Sequence, residues 1–316
     1  MYILVTVLVI SLFWLIYHIA QRSCLPYTPT TDVVVQHGQK ETLYKPIPRI
    51  IWSYWHEKEQ PLIVQKCIKT WRRYNPGYTI NVLHAGNIGE FLPANQLPAT
   101  LLQLPEFRKA DWLRIALLQA YGGIWVDASI LLTQPLDWVM ELQQKHHSEF
   151  VGFYIDRFSA DKERPIIENW FVASSRDSSF IADWYTEFTT EVINKSERAY
   201  LTLLKDSGTY GKVVQNIKYP EYLAMHVAAS RITQKKDAYS LTLLQAEQTA
   251  FFYVAHLKWR RMRLFIELAL LRANVSLSPL IKLRRKERNL FARGIRYHLF
   301  RSSSVIGSYL MQKDGT

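Results

Sequence analysis

The stretch ADWLRIALLQAYGGIWVDAS, residues 110–129, constrains the fold more than any other part of the chain. Apolar residues recur at three- and four-residue steps as far as Tyr121, the period of a helix. Gly122 and Gly123 then occupy C-cap positions, where a left-handed backbone is wanted. IWVDAS resumes at once as a strand. Asp111 and Arg114, three apart, share one face of the helix, and Asp127 closes the strand. A solvated surface ion pair contributes little, but these charges are set among Trp112, Leu113, Ile115 and Leu117. They are expected to converge with Asp127 at one end of a sheet. Carboxylates there would accept hydroxyl protons of a polyhydroxylated, phosphorylated ligand, and the guanidinium would offer it a planar fork of donors.

The same alternation of strand and helix runs along the chain. IPRIIWSYWHE predicts a buried strand entering a loop near Trp55. QPLIVQKCIKTWRRYNPG predicts a helix with Pro61 in its first turn and Asn-Pro-Gly as its stop. YTINVL, FVGFYID and WFVASS have strand character, SSFIADWYTEFTTEVIN begins a helix at serine, and 200–255 are expected to be mainly helical. The class is α/β, with a largely parallel or mixed sheet. In such sheets ligands sit at the carboxyl ends of strands, where Trp55 and Asp127 are both expected. Two cysteines, Cys24 and Cys67, form no disulfide framework and fit a reducing compartment.

The two ends of the chain differ from its middle. MYILVTVLVISLFWLIYHIA has 17 apolar residues in 20, the length of a bilayer-spanning helix. Residues 1–21 are therefore expected to be a transmembrane anchor, and the polar, Pro/Thr-containing 22–45 a linker. Arg22, Lys40, Lys45 and Arg49 follow the apolar stretch, with no Lys or Arg before it, so the rest of the chain is expected on the cytoplasmic side. The net charge of +12 is concentrated after residue 255, where 14 Lys or Arg face 3 acidic residues. There cations alternate with Trp, Phe, Leu and Ile, so 256–316 is expected to form a basic amphipathic helical tail on an anionic membrane surface. Nucleic acid is excluded as a partner because no binding motif accompanies the basic face.

Three motifs, IPRIIWSYW, VQKCIKTWRRYNPGY and ADWLRIALLQAYGGIWVDAS, give residues 47 to about 138 a resemblance to the capsular-polysaccharide-synthesis family of glycosyltransferases. That family is kin to fungal initiating mannosyltransferases and to clostridial glucosylating toxins. The resemblance implies a GT-A domain, Rossmann-like and nucleotide-sugar-binding, over 46–255. It also implies transfer of a sugar from a nucleotide-diphosphate donor with retention of anomeric configuration. Asp111, Arg114 and Asp127 would then be catalytic. Trp52, Tyr54 and Trp55 would meet the nucleotide, joined at the donor by Gly122, Gly123 and Ser129.

Asp127 opens what resembles the family's DxD-type motif, so Mn²⁺ or Mg²⁺ is the implied cofactor, with Asp127, Ser129 and His226 as its ligands. Ser129 stands where wider relatives carry a second Asp, and a hydroxyl is a neutral, weaker ligand for a hard cation. Glu168 and Asn169 precede WFVASS, where they would meet acceptor or sugar, or form a strand-entry turn. The expectation is a bacterial inner-membrane enzyme, single-pass and facing the cytoplasm, that extends a membrane-associated glycan of capsule or lipopolysaccharide. An inverting transferase of the same fold and a non-catalytic scaffold stay open as alternatives.

Overall fold

A computed structural model describes residues 5–7, 10, 11, 14, 17, 21–29, 33–36, 45–235 and 239–312. Strand β1 covers Val33–Gln36, and β2, Ile50–Tyr54, is the strand expected from IIWSY. Helix α1, Leu62–Tyr74, starts after Pro61 and stops at Asn75. Pro61 needs no amide donor in a first turn, where amides lack helical partners. Strand β3 is Thr79–Leu83. Helix α2, Glu106–Tyr121, ends at Gly122 with φ of 66° and passes into β4, Gly123–Val126. The helix, glycine turn and strand foreseen for 110–129 are thus present.

The short β5, Ile130–Leu132, follows, then helix α3, Asp137–His146, strand β6, Phe150–Tyr154, and strand β7, Ile167–Ser174. Helix α4, Ser179–Glu187, is capped by Ser178, whose hydroxyl accepts from the Ile181 amide at 3.2 Å. That bond satisfies one of the amides a helix start leaves open. Helix α5 is Ala224–Lys235, β8 is Leu241–Gln245, β9 is Leu280–Lys282 and helix α6 is Arg285–Arg296. Strand β8 falls within the stretch expected to be mainly helical; its five residues, LTLLQ, pair on both edges.

The main sheet has the order β1-β8-β6-β7-β4-β2-β3. Parallel pairing joins β2 to β3, β2 to β4 and β6 to β8, while β7 lies antiparallel between β4 and β6. Five described strands therefore run one way, and β1 and β7 the other. One edge of the sheet gathers the carboxyl ends of β2, β4, β6 and β8 with the start of β7. Central strands β4 and β6 are buried along their whole length, as strands covered on both faces must be. Both cysteines are free and buried.

Three boundaries expected from sequence are corrected. The described residues of the stretch expected to be a linker, 22–45, are tied to the domain: Cys24 and Tyr27 donate backbone hydrogen bonds to Arg272 and Ser276, and Val33–Gln36 joins the sheet beside β8. The β-branched VVVQ run is the reason, since such residues suit a pleated surface. Nor is residue 255 the start of a separate tail. β9 pairs antiparallel with β5, and Leu264, Phe265, Leu268, Phe291 and Ile295 are buried in the protein. Much of the apolar surface of this basic segment is therefore covered by protein, while Met262, Ile266, Val275, Tyr297 and Leu299 stay exposed.

The third concerns the anchor. Among the described residues no helix is long and apolar enough to cross a membrane, which overturns the expected single-pass inner-membrane placement. Much of the 1–21 stretch to which that expectation was attached lies outside the described residues.

Candidate functional site

The site is built on the sheet edge where β2 and β4 end. Register sets Trp52 beside Trp125, so the chain reaches Trp55 and Asp127 at a common level. The Asp127 amide donates to the Trp170 carbonyl at 2.9 Å, which ties the end of β4 to the beginning of β7.

Arg114 links the two carboxylates of the motif. Its Nη1 donates to Asp111 Oδ1 at 2.7 Å and its Nη2 to Asp127 Oδ1 at 3.1 Å. Its guanidinium also lies 4.9 Å from the centre of the Trp125 ring, a cation–π contact. Asp111 is held in place by Arg108 Nη1 at 2.9 Å and Asn169 Nδ2 at 3.0 Å. Arg108, 1% exposed, donates in turn to Glu197 and to the Glu221 carbonyl. A buried charge must be matched like this or neutralise. The triad Arg108, Asp111, Arg114 repeats at three-residue steps on one helix face, a signal the sequence carries.

Asp127 has a second cationic partner that sequence reasoning missed. Lys282, the last residue of β9, donates from Nζ to Oδ2, while Trp125 Nε1 donates to Oδ1 at 2.9 Å. Burial acts to raise the Asp127 pKa, but Lys282 and Arg114, with hydrogen bonds from Lys282 and Trp125, outweigh it and hold it at about 2. For Lys282, burial pulls the pKa down and Asp127 pulls it back. The geometry is that of an ion pair with both members charged. The Asp127 side chain stays 27% exposed, so the pair faces an opening.

Trp55 is half-buried beyond the end of β2, with Arg288 of α6 stacked 4.8 Å from its ring centre. Its indole Nε1 is buried without a hydrogen-bond partner among the described residues. Tyr54 points its hydroxyl to Glu106 at 2.9 Å, at the start of α2. Glu168 and His226 form a buried pair, Oε2 to Nε2 at 3.0 Å.

Other expected site residues stand elsewhere. Trp52 is 2% exposed, with Nε1 donating to the Gly122 carbonyl at 2.9 Å; it fastens the glycine turn to the core. Gly122 and Gly123 lie at the opposite end of β4 from Asp127, about 13 Å away at the rise of a strand. Their φ angles of 66° and 103° mark a backbone duty, the turn itself. Nor are the expected metal ligands assembled as a set. Both Asp127 oxygens accept from nitrogen donors, His226 is turned to Glu168, and Ser129 is neutral. Among the described residues no group of three His, Cys, Asp or Glu is placed to hold a metal ion.

Residues 30–254 match the family model described as capsular polysaccharide synthesis protein. The chain belongs to that family. Its match ends before Lys282 and Arg288, so two cations at this site come from outside the stretch that defines the capsular polysaccharide synthesis family. A glycosyltransferase, afumC, of Aspergillus fumigatus is 27% identical over 169 residues, 47% of this chain and 42% of the relative. An initiation-specific alpha-1,6-mannosyltransferase of Saccharomyces cerevisiae is 32% identical over 103 residues, 29% of this chain and 22% of the relative. The chain thus spans less than half the length of these curated relatives. The solved galactosyltransferase LgtC, with donor and acceptor sugar analogs, overlays 84% of this chain and 98% of its own. Its TM-score of 0.40 and 11% identity are too loose to assign the fold.

Proposed function

We propose that this chain is a nucleotide-sugar-dependent glycosyltransferase of GT-A type, transferring a sugar to a glycan acceptor of the capsular or lipopolysaccharide kind with retention of anomeric configuration. The observation that carries the proposal is the linked set Asp111–Arg114–Asp127 at the carboxyl ends of β2 and β4, with Lys282 on the remaining oxygen of Asp127. Family membership and the names of the relatives support the chemistry.

In this reading the donor's sugar hydroxyls donate to Asp127, whose carboxylate is ionised and partly open, while Asp111 holds Arg114 in place. The nucleotide base lies on Trp55, whose unpartnered indole N–H offers it a hydrogen bond. Arg288 then moves along the ring face or stacks on the far side of the base. The bond from the anomeric carbon to the β-phosphate oxygen breaks, and its electron pair leaves with the nucleoside diphosphate. The acceptor hydroxyl oxygen bonds to the same carbon, and its proton passes to the departing phosphate. Fixed charges stabilise the developing anion without reorganising, the largest contribution such a site makes.

The test is incubation of the full chain with UDP-glucose, UDP-galactose, UDP-N-acetylglucosamine and GDP-mannose, singly. Thermal shifts report binding by mass action, and released nucleoside diphosphate reports turnover. One donor is expected to raise the melting temperature and to be consumed; inertness to every nucleotide sugar contradicts the proposal. NMR of the product anomer distinguishes retention from inversion.

A further inference from the structure

We propose that the site neutralises the departing diphosphate with Lys282, aided by Arg288, and that neither donor binding nor cleavage uses a divalent metal. The inference rests on the glycosyltransferase reading. It begins from the misfit between the metal expectation and the residues present.

Asp127 is the carboxylate a metal would need, and both of its oxygens already accept from protein donors, two of them cationic. Oδ1 receives Arg114 and Trp125 at 3.1 and 2.9 Å, and Oδ2 receives Lys282. A divalent ion approaching Asp127 would meet two fixed positive charges, Arg114 and Lys282, already on the carboxylate. Ser129 adds no negative charge, and the His226 ring is held 3.0 Å from Glu168. The donor set suits a cation supplied by the protein.

Lys282 is placed for that task. Its side chain is 10% exposed, so it is not a surface charge that folded back by chance. Its backbone is fixed twice: in register opposite Ile130, and by an amide hydrogen bond to the Ala250 carbonyl at 3.1 Å. An ammonium has three donors; one serves Asp127, and two are left for phosphate oxygens. Beside it, α6 brings Arg288 over Trp55. Burial and the neighbouring Arg285 both pull the Arg288 pKa down, as expected where cations are gathered, while Asp127 pulls it up. Arg114, Lys282 and Arg288 thus bring three cations to a site where Asp111 and Asp127 already hold Arg114 and Lys282. A diphosphate would balance the surplus positive charge, and a second cation would increase it.

The step keeps the balance given above: the bond from the anomeric carbon to phosphate oxygen breaks with its electrons on that oxygen, and the acceptor's proton ends on the leaving group. Lys282 donates hydrogen bonds to that oxygen and transfers no proton.

The experiment is calorimetric titration of the full chain with UDP, GDP, ADP, CDP and dTDP, in EDTA and then in excess Mn²⁺ or Mg²⁺. One diphosphate is expected to bind with affinities agreeing within about threefold across the three conditions. Lys282→Met is expected to weaken it about tenfold to a hundredfold, the range of a charged hydrogen bond, and Lys282→Arg to keep most of the affinity. Tightening of ten-fold order or more by either metal overturns the inference and leaves the glycosyltransferase reading intact. Unchanged binding by a folded Lys282→Met chain does the same. Failure of every diphosphate to bind in all conditions overturns both. Should Lys282→Met fail to fold, the metal comparison on the unaltered chain and on Lys282→Arg still decides.

Discussion

The Lys282 ammonium donates to Oδ2 of Asp127 across 155 residues of chain. Asp127 ends a strand of the main sheet, and Lys282 ends a strand of the small β5–β9 sheet. Ile130, three residues past Asp127, pairs directly with Lys282. The fold therefore uses its C-terminal segment as a wall of the site.

That pair fixes an acid dependence of stability. Asp127 ionises at about 2 in the fold against an ordinary value of 3.8. A carboxylate with a depressed folded pKa stabilises the fold above its unfolded pKa and loses that contribution as pH falls through the folded value. The contribution, about 2 kcal/mol, should be present above about pH 4 and vanish by about pH 2. Urea unfolding across this range, compared with Asp127→Asn, should show the difference between the two chains shrinking with acid. A constant difference would contradict the assignment. Loss of activity at mildly acid pH then has another origin than Asp127.

Gly123→Ala should destabilise the fold by more than about 2 kcal/mol. Gly123 has φ of 103°, and a Cβ there would stand 2.7 Å from the Ile50 carbonyl oxygen. Backbone atoms of β2 cannot yield as a flexible side chain would. Chemical denaturation measures the loss, and equal stability would contradict the tight turn.

Arg114→Lys should leave the chain folded and lower turnover about a hundredfold. One ammonium cannot reproduce the fork that spans Asp111 and Asp127. A destabilisation of about 1–3 kcal/mol should accompany it, since buried acceptors lose a partner. Steady-state rates with the consumed donor and a urea melt measure the two effects; near-normal turnover would show that the bridge is structural alone.

The helix, turn and strand of 106–126 were legible because helical period, paired glycines and a β-rich run agree locally. The convergence of Asp111, Arg114 and Asp127 followed from that geometry. Lys282 was not legible. Its segment alternates cations with apolar residues, a pattern that states an apolar face exists but not what covers it; a membrane and β5 satisfy it equally. Trp52 and Trp55 differ for a related reason. The first lies within β2 and is packed against Phe91 and Tyr121, whereas the second lies past the strand's end, where the chain opens to the site.

A chain ending at residue 255 should lose the native fold, because Ile130–Leu132 would lose its partner strand and Asp127 its lysine. The full chain is expected to unfold in one transition and to resist limited proteolysis; the shortened chain should do neither. A stable, protease-resistant shortened chain would restore the view of 256–316 as a separate tail.

The central claim is that the Asp127 carboxylate acts on the donor sugar. Its most direct test is turnover of the consumed nucleotide sugar by Asp127→Asn, a near-isosteric change, beside the unaltered chain, with both melts recorded at neutral pH. The account predicts a folded variant whose turnover is at least about a hundredfold lower. A folded Asp127→Asn chain with normal turnover would contradict it.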